Sequence, residues 1–336
     1  MNRVYILIVN WNGWRDTIEC LESVFRIDHP DYRVIVCDNG SEDGSSDRIK
    51  AWASGDLDAW VNKGNPLRRL TNPPLPKPIP FVEHDRDRAE SGGGPEEAKA
   101  RLILVNTGAN LGFAGGNNVG LRYALRRDDF DFAWLLNNDT VVEPDALSHL
   151  VRRMEEKPHA GMCGSTLPFY HAPETLWARG GATYNKWIVH ARCLGYRRPV
   201  NERFDQGEIE RRMDYVAGAS MFVSKGFLRD VGLLCEDYFL FYEEPDWAAR
   251  AAGRYGMAYA PGSVVYHKVG AAIDTLGMPG EGRRRIVDLT MRNAIRFTRK
   301  FCPWALPAVY LRVLLQMIVC RVRDRLDKSV PRGKPA

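Results

Sequence analysis

Val4-Tyr5-Ile6-Leu7-Ile8-Val9, running into Asn10-Trp11-Asn12, and Val34-Ile35-Val36-Cys37, running into Asp38, decide the fold. Each is an unbroken apolar run of strand length, rich in β-branched residues, the pattern of a strand buried on both faces. Between them Trp14 to Arg26 carries Ile18, Leu21, Val24 and Phe25 at helical spacing. Strand, helix, strand with short connections is a βαβ unit and implies a parallel sheet. Further along, Leu102 to Val105 and Phe132 to Leu136 supply a third and a fourth strand, with Leu121, Ala124 and Leu125 on one side of a helix between them. Pro144 stands near the start of a helix ending around Lys157. Tyr215 to Val223 and Ala258 to Tyr266 are strand-like, and Pro245 is placed as the first residue of a helix that stops at Gly256, which puts Glu244 at its cap. The class is α/β, a mostly parallel sheet flanked by helices.

Two stretches break the pattern. After a short helix from Asp47 to about Ala53, residues 55–100 hold Pro66, Pro73, Pro74, Pro76, Pro78 and Pro80, then charges, then Ser91-Gly92-Gly93-Gly94-Pro95. Proline excludes regular helix and central strand there, so a partly mobile surface insertion is expected. At the other end, Trp304 to Cys320 is strongly apolar apart from Arg312 and Gln316, and Arg321, Arg323, Arg325 and Lys328 follow. That is short for a membrane span, so a helix lying in the membrane interface is expected, with packing on the main domain as the alternative. The division expected is a main domain of residues 1–275 and a helical extension of residues 276–336.

The chain has 336 residues, 45% of them apolar and 26% charged, which excludes a disordered tail, a collagen-like rod and a coiled coil. Its formal net charge of +5 is too slight for a nucleic-acid footprint, and no nucleic-acid partner is expected. The seven cysteines are scattered and form no C-x-x-C pair, which indicates reduced thiols and a cytoplasmic protein. The apolar run at the N-terminus is strand-length and lacks a small-residue cleavage site, so it is not read as a signal peptide.

Polar clusters fall where open α/β sheets bind ligands, at strand C-terminal ends: Asn10 and Asn12 after the first strand, Asp38 and the Gly/Ser run after the second, Asn137-Asn138-Asp139 after the fourth. Each alone is also an ordinary turn or cap; together they lie on one rim. The glycines from Gly108 to Gly120 form neither a dinucleotide fingerprint nor a phosphate-binding loop ending in G-K-[ST]. They leave a flexible turn and a helix N-terminus able to meet an anion, with the amides of Asn110, Asn117 and Asn118 suited to a sugar or a base. Phe239 to Trp247 crowds aromatics beside Glu243, Glu244 and Asp246, and His267 ends a strand.

Read in order, the elements I-V-N-W-N-G, V-C-D-N-G-S-E-D-G-S, N-L-G-F-A-G-G-N-N-V-G, L-L-N-N-D-T, Y-V-A-G-A-S-M, F-Y-E-E-P-D-W-A-A-R and V-V-Y-H resemble the inverting family-two glycosyltransferases of GT-A fold, rhamnosyltransferase-like members in particular, over roughly residues 3 to 270. The resemblance implies a nucleotide-sugar site at Asn10, Asn12, Asp38, Asn110, Gly112, Asn117, Asn137, Asn138 and Arg292. It implies Asp139 and His267 as ligands of Mg²⁺ or Mn²⁺, with Asn137 standing where the family's D-x-D motif has its first Asp. Glu244 takes the place of the catalytic base, usually Asp, with Glu243 beside it; the helix N-terminus is expected to keep Glu244 ionised. Gly218, Ala219, Asp246 and Trp247 are implied at the acceptor. The expected partners are a nucleoside-diphosphate sugar and a glycan or lipid-linked acceptor at the cytoplasmic face of the inner membrane. A nucleotidyltransferase, for which Arg15 is the one nearby triphosphate-gripping candidate, and a non-catalytic sugar-nucleotide or glycan-binding protein are the alternatives.

Overall fold

The computed structural model describes residues 2–59, 64–269 and 281–329. In chain order the elements are β1 (Val4–Asn10), α1 (Trp14–Val24), β2 (Tyr32–Asp38), α2 (Ser45–Ser54), β3 (Phe81–Asp85), α3 (Arg86–Glu90), β4 (Leu102–Asn106), α4 (Gly112–Arg127), β5 (Phe132–Asn137), β6 (Thr140–Val142) and α5 (Ala146–Glu156). The second half continues with β7 (Ala160–Phe169), β8 (Ala172–Arg179), β9 (Gly181–Asn185), β10 (His190–Cys193), α6 (Gln206–Arg212), β11 (Tyr215–Val216), β12 (Ser220–Ser224), α7 (Lys225–Val231), α8 (Glu243–Ala251), β13 (Gly256–His267), α9 (Glu281–Phe301) and α10 (Leu306–Ser329).

One mixed sheet runs in the order β10-β9-β8-β7-β12-β5-β1-β2-β4-β3, with β13 on β7 and β6 on β13. β3, β4, β2, β1 and β5 are parallel, and β12 inserts antiparallel between β5 and β7. β1 sits where the strand order reverses, which opens a crevice beyond its C-terminal end. Its side chains feed both faces: Val4, Ile6 and Ile8 enter one apolar cluster, Tyr5 and Leu7 the other. The parallel register sets Asn10 opposite Asp38, Asp38 opposite Asn106 and Val9 opposite Asn137, so the polar ends form one row.

Three expectations are corrected. The Pro-rich stretch is not merely a loose surface insert: after Pro80 it adds β3 as an edge strand on β4, and Leu67, Leu70, Ile79 and Ala89 are buried. Proline is compatible with an edge strand when it precedes the ladder. Inside this segment the fully buried Glu97 accepts hydrogen bonds from Gly94 N and Arg127 and pairs with His84 (2.7 Å). Second, α8 runs from Glu243 to Ala251 with Tyr242 at its cap, so Glu244 lies inside the first turn, and Gly256 opens β13 instead of closing the helix. Third, the second half, where only Tyr215 to Val223 and Ala258 to Tyr266 are expected as strands, also holds the antiparallel meander β7 to β10.

The boundary expected at residues 275 and 276 lies outside the described residues. α9 and α10 dock on the domain through Ala294, Phe297, Cys302, Ala305 and Val309, which pack with Tyr238 and Tyr242. α10 is two-faced: Val309 is buried, whereas Leu311, Leu314 and Leu315 are 58%, 55% and 49% exposed. Among the described residues no helix is long and apolar enough to cross a membrane.

Candidate active site

A cavity of about 540 Å³ opens beyond the C-terminal ends of β1 and β5. Asn12, Asn39, Asn110, Gly112, Asn137, Asn138 and Asp139 line it together with Gly218, Ala219, Glu243, Glu244 and His267, and aromatic side chains complete the wall. Asn10 and Asp38 lie just beneath this rim and do not line it. Asn10 Nδ2 donates to Asp38 Oδ1 (2.9 Å) and to Ser41 Oγ (3.0 Å), while Thr17 donates to Asn10 Oδ1 (2.8 Å). Ser41 also donates to Asp38 in a short bond, so both side chains are satisfied within the protein and brace the first loop.

Asn39, in the polar cluster that follows Asp38, ties the end of β2 to the glycine turn. Its Nδ2 donates to Gly112 O (3.1 Å) and Asn110 Oδ1 (3.2 Å), and its Oδ1 accepts from Leu111 N (3.1 Å). Gly112 has φ +72°, and a β-carbon there would collide with the carbonyl of Phe239, so only glycine fits. Phe113 N donates to that same carbonyl (2.8 Å), which holds the 239–242 loop against the start of α4.

Asp139 and His267 meet because β13 pairs antiparallel with β6, setting His267 opposite Thr140. His267 Nε2 is 3.2 Å from Asp139 Oδ1, and the Trp177 ring stands edge-on to the imidazole at 4.7 Å. His267 Nδ1 is buried without a hydrogen-bond partner among the described residues. Burial works to raise the Asp139 carboxyl, but the charge and hydrogen bond of His267, with Lys268 nearby, outweigh it and hold the group below its ordinary value. Lys268 is itself engaged by Asp16 (2.5 Å) and Glu19 (2.6 Å). A carboxylate oxygen and an imidazole nitrogen converging on a cavity are a donor set that fits Mg²⁺ or Mn²⁺. The other cluster of possible ligands among the described residues, His84, Glu96 and Glu97, is unlike this one, because Arg127 already neutralises Glu97.

The remaining wall carries paired carboxyls. Glu243 is 2% exposed, its Oε2 without a hydrogen-bond partner among the described residues, and the Glu244 carboxyl rests against Gly218, where any β-carbon would strike it. Asn137 N donates to Ala219 O (3.1 Å), which brings Gly218 and Ala219 beside the Asn137–Asp139 turn. Burial is the main cause that lifts both carboxyls, Glu243 well above its ordinary value and Glu244 to about 7. The helix N-terminus expected to keep Glu244 ionised is opposed by burial: desolvation outweighs the favourable backbone contacts and raises the group.

Other expected contacts fall elsewhere. Trp247 is fully buried and donates Nε1 to Gly232 O (2.8 Å). Asp246 is fully buried and paired with Arg250 and Lys300, both at 2.7 Å. Asn117 donates to Phe113 O (2.9 Å) within α4. Arg292 is exposed on α9, whereas its neighbours Thr290 and Asn293 face the cavity loop. Asp16 and Trp177 were not singled out from the sequence, and Asn293 drew notice only together with Arg292.

This arrangement defines a GT-A glycosyltransferase fold with a polar crevice. At 12% and 15% identity the chain shares it with GalNAc-T7, solved with UDP, GalNAc and Mn²⁺ (TM-score 0.55, covering 89% of this chain and 48% of that one), and with the mannosyltransferase PcManGT from Pyrobaculum calidifontis, solved with GDP-Man and Mn²⁺ (TM-score 0.50, covering 99% and 81%). Residues 5–63 match the model for glycosyl transferase family 2, and residues 96–276, more than half of the chain, match that for glycosyltransferase-like family 2. The chain belongs to glycosyltransferase family 2. It is 24% identical over 150 residues to the low-salt glycan biosynthesis hexosyltransferase Agl10 of Haloferax volcanii, and spans about half of that relative (46% of its length, 45% of this chain).

Proposed function

We propose that the protein is an inverting glycosyltransferase that moves a sugar, rhamnose being the first candidate, from a nucleoside-diphosphate donor to a hydroxyl of a cell-envelope glycan or a lipid-linked acceptor. One observation carries this reading: a single cavity is lined by the Asp139–His267 pair and by Glu244, a carboxyl poised near neutrality. A base is most effective when its pKa lies near the working pH. The fold relatives solved with GDP-Man and with UDP support a nucleotide-bound donor.

In this reading Asn12, Asn110, Asn137 and Asn138 meet the nucleotide sugar, with Asn10 and Asp38 setting the rim beneath them. Asp139 and His267 would hold Mg²⁺ or Mn²⁺, which would supply positive charge to stabilise the leaving diphosphate. The acceptor oxygen attacks the anomeric carbon as the bond from that carbon to the phosphate oxygen breaks. The bonding pair goes to the diphosphate, and the hydroxyl proton passes to Glu244. A single displacement inverts the centre. Gly218 and Ala219 leave room for the acceptor, and Glu243 lines the same wall.

The exposed leucines of α10 support a peripheral location at the cytoplasmic face of the inner membrane, where a lipid-linked acceptor would be presented. The deciding experiment is a donor panel (dTDP-rhamnose, UDP- and GDP-sugars) with Mn²⁺ or Mg²⁺, scored by nucleoside diphosphate released in the presence of glycan acceptors. Release that requires both metal and acceptor is expected. Binding of nucleotide without release from any donor would favour a non-catalytic module.

A further inference from the structure

Phe241 and Tyr242, which lead into α8 and its two glutamates, both have left-handed backbones, with φ of +69° and +79°. Side chains with a β-carbon adopt this region only when the surroundings enforce it, and two in succession need a clamp. Half of the clamp is the Phe113 N bond to Phe239 O described above.

The other half comes from α9. Asn293, 2% exposed, donates from Nδ2 to the carbonyls of Leu240 (2.9 Å) and Phe241 (3.0 Å). Arg296 donates to Asp237 O in a short bond, the Phe297 ring lies 5.6 Å from that of Tyr242, and Lys300 reaches Asp246 Oδ2 at 2.7 Å. Residues 293, 296, 297 and 300 are spaced i, i+3, i+4 and i+7, so one face of α9 grips the whole approach to α8. Within that face only Asn293 bonds to the carbonyls inside the strained turn. A buried amide satisfied by core groups would stabilise the fold at large; this one is spent on the two peptide groups that aim the glutamates.

We infer that Asn293 is a positioning residue: by holding the Leu240–Tyr242 turn in its left-handed form it sets where Glu243 and Glu244 enter the cavity. The helical extension is thus part of the catalytic apparatus as well as a docking element. The effect on turnover rests on the proposed transferase function; the effect on the turn does not.

The test uses the full chain with Asn293→Asp, which keeps the shape and loses both N–H donors, and Asn293→Ala. Hydrogen exchange of peptides covering residues 237–247 is measured beside steady-state kinetics with the donor identified by the panel. Exchange in that segment is expected to rise several-fold while β1, β2 and β5 are unchanged. kcat is expected to fall about 10- to 100-fold, with the donor KM within about 2-fold, because small misplacement of a reacting group is costly while donor contacts stay intact. Unchanged exchange in residues 237–247 overturns the inference. So does wild-type kcat in both variants, a parallel loss in all regions, or failure of both variants to fold cooperatively. A wild-type protein that transfers no sugar refutes the proposed function alone, since the exchange comparison still decides this one.

Discussion

Glu244→Gln keeps the size of the side chain and removes its charge, which separates two consequences of the burial of this group. In the unfolded chain the carboxyl titrates at its ordinary 4.5, and in the folded protein it holds its proton up to about 7. Well below pH 4.5 both states are protonated and the group contributes no difference. As pH rises from 4.5 to 7 the unfolded chain releases a proton that the folded one keeps, so native stability falls across that window and levels off above it. At about 1.4 kcal/mol per tenfold change in proton affinity the full effect is ~3 kcal/mol. Glu244 lines the open cavity and is only partly buried, so solvent screens part of this and ~1–2 kcal/mol is the working figure. The glutamine variant should therefore melt about 1–3 °C above wild type at pH 8.5, with most of that gain gone at pH 5. Removing the charge also relieves Glu243, whose carboxyl burial and the neighbouring Glu244 raise together. Calorimetric melts at the two pH values give the stability arm. Released nucleoside diphosphate gives the other, where kcat should fall about 10²- to 10⁴-fold with the base gone. A variant less stable than wild type at pH 8.5, or shifted equally at both pH values, would refute the desolvation argument.

Three more outcomes are expected. Asp139→Asn should weaken nucleoside-diphosphate binding in the presence of Mn²⁺ by about 10-fold or more and abolish its metal dependence, read by titration calorimetry with and without the ion. Gly218→Ala places a methyl group against the Glu244 carboxyl, and kcat should drop at least ~10-fold with nucleotide affinity retained; equal loss of both would mean the site had collapsed. Leu311→Ser, Leu314→Ser and Leu315→Ser together leave the buried Val309 seat intact, so flotation with anionic liposomes should be lost while the melting temperature holds. Flotation unaffected by the triple substitution would remove the membrane role of α10.

Much of the parallel half was legible because its information is local. Val4 to Val9 and Val34 to Cys37 state their burial in their own composition, and polar residues at both ends mark the rim before any partner strand is known. The antiparallel half hid itself, since β7 includes Gly161, Gly164 and Pro168, and so did the parallel edge strand β3, which follows directly on Pro80. Such strands owe their stability to the neighbours they pair with, which no short window contains. The site divides in the same way. Asp139, His267 and Glu244 stood out by motif, whereas Asn39, Trp177 and Asn293 matter through partners 73, 90 and 52 or 53 positions away.

The sequence by itself determined which segments are strands of a parallel α/β sheet and that their polar ends share one edge, since side-chain periodicity and strand polarity are properties of the chain alone; Asp139, His267 and Glu244 were picked out by the resemblance of their motifs. Only the tertiary structure decided that Asn10 and Asp38 brace the rim from beneath, that Asp246 and Trp247 belong to the core, which face of α10 is covered, and that Glu244 holds its proton near neutrality. Those outcomes depend on how much water distant elements exclude from a group and which of its hydrogen-bonding atoms they satisfy, and solvent exclusion exists only after the sheet, α8 and α9 have closed around the cavity.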